Sequence, residues 1–164
     1  MTPTYRSAAP TTPLTPTEIR VIEQLAAGAT IEEVAQALNA LPATVSRHMS
    51  QVGWKVRTAS RPARIHIALA TGEAKPPTTS LPRPEFSPDE QRLLLALAQH
   101  AVRTDIARAA HVHPSSLRTR VTALLRRAGA SNTAHLIGLA HAWGFLESKT
   151  GTTTHTPEDS PPAG

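Results

Sequence analysis

Apolar residues return at helical spacing along two stretches of this chain, with polar positions between them. In the first, Ile22, Leu25 and Ala26 form one stripe, and Val45, Met49, Val52 and Val56 then recur at steps of four, three and four. In the second, Leu94, Leu97 and Ala98 are followed by Leu117, Val121, Leu124 and Ala128 in the same register. Alternating β-branched runs are absent, so the expected class is all-α.

The punctuation between stripes is that of helix ends. "LTPTEIR" (Leu14 to Arg20) places Thr15 as a cap, Pro16 in the first turn and Glu18 where it can bond back to the cap amide. "FSPDEQR" (Phe86 to Arg92) repeats this with Ser87, Pro88 and Glu90. Leu14 and Ile19 can form a hydrophobic staple, whereas Gln91 takes the apolar partner's place in the second copy. Short second helices are expected over Thr30 to Leu38 and Arg103 to Ala110, each followed by a tight turn at Asn39 or His111. Pro42 and Pro114 restart the chain in a third helix, and two helices joined so closely cross steeply, as in a helix-turn-helix. A fourth helix begins near Ser60 or Asn132, both good caps.

Shifting the chain by 72 positions aligns Pro16 with Pro88, Glu18 with Glu90, Arg20 with Arg92 and Leu25 with Leu97. It also aligns Ala35 with Ala107, Pro42 with Pro114, Ile65 with Ile137 and Gly72 with Gly144, without a gap. The reading is a duplicated unit of about 60 residues, a size that folds alone only marginally. The expected domains are a disordered tail over 1–13, a first helix-turn-helix unit over 14–72, a Pro-rich linker over 73–85, a second unit over 86–148 and a disordered tail over 149–164. The connector "GEAKPPTTSLPRP" (Gly72 to Pro84) holds four prolines. Extended, it spans about 40 Å, enough to permit many arrangements of the two units.

Charge changes the picture more than composition does. The net charge is +5, and its distribution is polarised twice over. Ala43 to Gly72 contains no acid but holds Arg47, Lys55, Arg57, Arg61 and Arg64; Ile106 to Leu146 contains none but holds Arg108, Arg118, Arg120, Arg126 and Arg127. Opposite its apolar stripe, the first third helix carries Arg47, Ser50, Gln51 and Trp54. The second carries Thr119, Thr122, Ala123 and Arg126, flanked by Arg118, Arg120 and Arg127. Polar and basic groups without a carboxylate suit a helix lying in a phosphate-walled groove; the plainer alternative is a solvated face.

The second unit's fourth helix has two apolar faces, Ile137, Ala140 and Gly144 on one and Leu136, Leu139 and Trp143 on the other. Only one can meet so small a core. The positions matching the second face are Arg64, Ile67 and Thr71. The two fourth helices are therefore expected to pair, as an intramolecular pseudo-dimer or, between chains, as a homodimer. The alternative folds Trp143 under the C-terminal "GFLESK".

Other chemistries find little support. There is no cysteine, and His111-x-His113 lacks a third ligand, so no metal is expected. Glu32 and Glu33 point apart on a helix, and neither a glycine-rich phosphate loop nor a nucleophile motif appears, so neither an enzyme nor a cofactor is expected. No apolar run approaches the ~20 residues of a membrane span, and no secretory signal opens the chain. The expectation is a soluble, cytoplasmic, nucleoid-associated protein.

Leu14 to Gly72 resembles the DNA-binding domain of LuxR/GerE-type bacterial regulators, through "LTPTE", "EEVAQAL" and "TVSRHMSQV". Phe86 to Gly144 resembles a second, more diverged copy, through "FSPDEQR", "TDIARAA" and "SSLRTRVTALLRRAGASN". Bacterial sigma-factor region 4 opens in a similar way. The resemblance implies tandem four-helix, wingless helix-turn-helix domains. It places Thr44 and Ser116 at phosphate, Val45 and Leu117 near bases, and Ser46 and Arg118 at the position of a DNA-reaching lysine, with His48 and Arg120 beside them. Arg47, Ser50, Gln51, Lys55, Thr119, Thr122 and Arg126 complete the candidate DNA-binding set, and the fourth helix is the family's usual dimerisation element. Departures are Ser46 in place of a basic residue, Gly53 inside the third helix, "KVR" (Lys55 to Arg57) where the family has "KLG", and Leu41 at a capping position. No receiver or ligand-binding domain is expected in the remaining residues. The function expected is sequence-specific binding of double-stranded DNA by a transcriptional regulator, two recognition helices reading an imperfect operator of two half-sites. The alternative is a protein-interaction module of the same fold contacting RNA polymerase or another regulator, with Trp54 in the contact.

Overall fold

A computed structural model of the chain describes residues 13–146. The expected tails lie, apart from Pro13 itself, outside the described residues. Among the described residues there are eight α-helices and no strand. They are α1 (Pro16–Ala26), α2 (Ile31–Leu38), α3 (Pro42–Val56), α4 (Arg61–Ala70), α5 (Pro88–Gln99), α6 (Arg103–Ala110), α7 (Leu117–Ala128) and α8 (Thr133–Trp143).

Local chemistry explains most of the helix ends. At α1, Thr15 Oγ1 accepts the Glu18 amide and Glu18 Oε1 accepts the Thr15 amide, a complete capping box. Ser87 and Glu90 build the same box at α5, and Thr30 with Glu33 a third at α2. Ser60 and Asn132 cap α4 and α8 by accepting the Ala63 and His135 amides. Leu41, which offers no side-chain acceptor, leaves the start of α3 to Pro42 alone.

The bends after α2 and after α6 each pass through one residue in the left-handed region, Asn39 at φ 58° and His111 at φ 60°. The following amides, Ala40 and Val112, then donate to Ala35 and Ala107, closing the second helices in the same way 72 residues apart. The third helices differ at their starts. Pro42 opens α3 directly, whereas Pro114–Ser116 form a 3-10 turn before α7. There the ring of His113 accepts the Ser115 amide and tightens the chain locally.

The buried residues form one cluster drawn from both sets of four helices. α8 packs on α1 and α4, and α4 packs on α5 as well. Gly138 makes this possible: a Cβ there would collide with the Ala26 carbonyl, so the backbone of α8 rests directly on the end of α1. The connector is also tied down, which corrects the expectation of a linker free to take many arrangements. Glu73 Oε2 accepts the Leu14 amide at 3.0 Å, Glu23 Oε2 the Lys75 amide at 2.8 Å, and Arg83 donates to the Trp143 carbonyl at 3.0 Å. Proline stiffness and these anchors leave the connector little freedom.

Candidate nucleic-acid interface

The third helices divide cleanly into two sides. Val45, Met49, Val52 and Val56 are buried under α3; Leu117, Leu124 and Ala128 are buried under α7, with Val121 half-buried. On the outer side Ser46, Arg47, Ser50, Gln51 and Trp54 are exposed, and so are Arg118, Thr119, Arg120, Thr122 and Arg126. Thr44, His48 and Ser116 are half-buried at the margins. Val45 and Leu117, which the resemblance puts near bases, are enclosed by the core; their side chains anchor the helices instead of meeting a ligand.

Lys55 is not a free cation. Its Nζ lies 2.7 Å from Glu18 Oε1 and donates to the Pro13 carbonyl at 3.3 Å. Glu18 is 2% exposed and Lys55 19%, so this carboxylate needs its cation as well as the cap amide. Seventy-two positions on, Arg127 Nε lies 3.3 Å from Glu90 Oε2, and its Nη2 donates to the Glu85 carbonyl at 2.8 Å. Both contacts thus recur at matching positions, although the second pair is more open, at 27% for Glu90 and 47% for Arg127.

Arg64, expected at the pairing of the fourth helices, turns the other way. Its guanidinium crosses to α3 and donates to the carbonyls of Met49, Thr58 and Ala59, each at 3.0 Å. Burial, with Arg61 nearby, lowers the Arg64 pKa from its ordinary value. Gly53 is what admits this group: a Cβ at that position would stand 2.6 Å from Arg64 Nε. A glycine that reads from sequence as a helix defect is a notch for an arginine. Seventy-two positions on stand Leu125 and Leu136, both apolar.

Of the other residues expected between the fourth helices, Ile67 is half-buried against the core, and Leu136 and Leu139 are buried. Thr71 donates its hydroxyl back to Ala68 at the end of α4. Trp143 packs with Phe86 and Phe145, ring centroids 6.5 and 6.4 Å away, and its indole N–H donates to the Leu81 carbonyl. Where α4 meets α8, His66 Nδ1 faces His141 Nε2 at 2.9 Å. One of the two rings must donate and the other accept. Burial and the neighbouring His66 push His141 down to about 3, and burial lowers His66 too. Nothing in the apolar periodicity marks this pair, and the positions matching it are Gly138 and Leu69.

His111 and His113 gather no third partner: among the described residues no group of three or more histidine or carboxylate side chains could hold a metal ion. No described helix is long and apolar enough to cross a membrane.

Comparison with curated proteins and with solved structures returns no match. Residues 12–68 match the family described as bacterial regulatory proteins, luxR family, a span that takes in α1 to α3 and all but the last residues of α4. The first four helices therefore carry one luxR-family helix-turn-helix domain.

Proposed function

We propose that this chain is a DNA-binding transcriptional regulator, that residues 86–146 are a second, diverged copy of its helix-turn-helix domain, and that α3 and α7 are its recognition helices. The observation that carries the reading is the outer surface of those two helices, exposed, polar and basic, without a carboxylate on either. Recurrence of the caps, the left-handed turns and the Lys55/Arg127 contacts at 72-residue spacing supports the duplication. Packing of α8 on α1 and α4, with α4 on α5, supports an intramolecular pseudo-dimer acting as a single chain. The DNA-binding set then reduces to Thr44, Ser46, Arg47, His48, Ser50 and Gln51 in the first unit, and Ser116, Arg118, Thr119, Arg120, Thr122 and Arg126 in the second. Because the two sets differ, the operator is an imperfect pair of half-sites, about one helical turn (~34 Å) apart.

Selection from random duplex DNA, followed by binding across a salt series, tests this. Groove binding through several phosphates makes log K fall linearly and steeply with log salt. Recovery of no preferred duplex, or affinity flat from low to moderate salt, contradicts it.

A second reading, docking on RNA polymerase or another regulator, is favoured by the exposure of Leu41 and Trp54 at either end of α3. Apolar docking of that kind is insensitive to salt.

A further inference from the structure

Trp54 is 81% exposed, the barest large apolar side chain among the described residues. It stands seven positions after Arg47 and three after Gln51, so the three share the outer side of α3. Its indole N–H meets no hydrogen-bond acceptor among the described residues. The ring walls an open cleft of about 860 Å³ that Ser50, Arg57 and Thr58 also line, with Arg64 at its Gly53 notch. Every charged group lining that cleft is a cation.

Those surroundings discriminate between partners. A protein docking on Trp54 would call for a second large apolar side chain beside the ring, and the cleft has none: the rest of its lining is glycine, alanine, hydroxyl and cationic residues. The edge of a duplex matches both halves of the site: deoxyribose presents C–H faces to an aromatic ring, and phosphate oxygens accept from an indole N–H and an arginine. The position that matches Trp54 in the second unit is Arg126, exposed on the same side of α7. We infer that Trp54 is a backbone contact of the first unit with duplex DNA, its ring against a sugar and its N–H toward a phosphate, with Arg57 on the neighbouring phosphate. The two units then grip the same polyanion by different means, one through a neutral ring and the other through a charge. This rests on the DNA-binding reading above.

The test uses the full chain and the duplex recovered by selection. Trp54→Ala weakens binding about tenfold at moderate salt. Trp54→Arg, which installs the second unit's residue, retains low-salt affinity and steepens the log K against log salt slope by about one unit. In a Trp143→Phe background, Trp54 emission changes on adding duplex, with the midpoint seen by fluorescence anisotropy of the labelled DNA. Parental affinity and slope in both Trp54 variants, with unchanged emission while duplex is bound, would overturn the contact and leave the DNA reading standing. Emission that responds to purified RNA polymerase but not to duplex would overturn it in favour of a protein partner. A parental chain that binds no duplex at all removes the DNA reading and this contact together.

Discussion

Two junctions in this molecule, α3 with α4 and α7 with α8, are built from opposite chemistries. At the first a glycine opens a notch and an arginine fills it, its guanidinium donating to the Met49 carbonyl within α3 and to those of Thr58 and Ala59 beyond its end. At the second, Leu125 and Leu136 stand at the matching positions, and both belong to the apolar core or its margin. The ion pair beneath each first helix shows a milder contrast, enclosed for Glu18 and Lys55 and half-open for Glu90 and Arg127. Several features that act on the backbone recur position by position, the capping boxes of α1 and α5 and the left-handed turns at Asn39 and His111, although the box at α2 has no counterpart at α6, where Val102 offers no side-chain cap. Where side chains meet, one contact is kept, Glu18 with Lys55 and Glu90 with Arg127, while Gly53 with Arg64 gives way to Leu125 with Leu136. One backbone geometry thus tolerates either a polar or an apolar joint, provided both partners change together.

The contrast can be broken at its strongest point first. Gly138→Leu forces α8 off the end of α1 and costs about 4 kcal/mol, read as a lower midpoint in chemical denaturation. An unchanged midpoint would mean that the two sets of helices do not share a core. Next comes the ion pair. Lys55→Met leaves the buried Glu18 carboxylate without its cation and costs about 3 kcal/mol, whereas Arg127→Met costs under about 1 kcal/mol because Glu90 is reached by water. Equal losses would show that burial does not separate the pairs. At the junction, Arg64→Leu alone and Gly53→Leu alone each cost about 2 kcal/mol. The double variant, which copies the second unit, recovers most of that. Simple additivity of the two losses would sink the idea of interchangeable joints.

A further effect concerns acid. His141 sits near 3 in the folded chain against 6.5 in an unfolded one, so the unfolded state binds the extra proton first as pH falls. Stability contributed by the neutral ring is present above about pH 6.5 and declines toward pH 3. Roughly 2 kcal/mol is lost by pH 5. His141→Leu should flatten that profile in denaturation series at pH 7 and pH 5, and an equally steep decline in the variant would place the titration elsewhere.

What could be read from the sequence was what is encoded locally. Thr15, Pro16 and Glu18 specify a helix start within four residues, and the stripe of Val45, Met49, Val52 and Val56 specifies which side of α3 is buried. Residues that do two things at once were harder to read. Glu18 and Glu90 are legible as cap partners, and that hid their second role as counter-ions, so Lys55 counted as free charge. Gly53 and Arg64 are each unfavourable alone, one for a helix and the other for an apolar interface, and only their meeting makes sense of both. His66 and His141, like Gly138 and Ala26, come from opposite halves of the chain, and no pattern along the sequence connects them.

If α3 and α7 are both recognition helices, they enter the same duplex. Hydroxyl-radical footprinting of the full chain on its selected operator addresses this directly, using the parent, Arg118→Ala with Arg120→Ala, and Arg47→Ala with Gln51→Ala. Two protected patches about one helical turn apart are expected, the α7 variant losing one and the α3 variant the other. A single patch, or two patches that vanish together in either variant, would contradict the account.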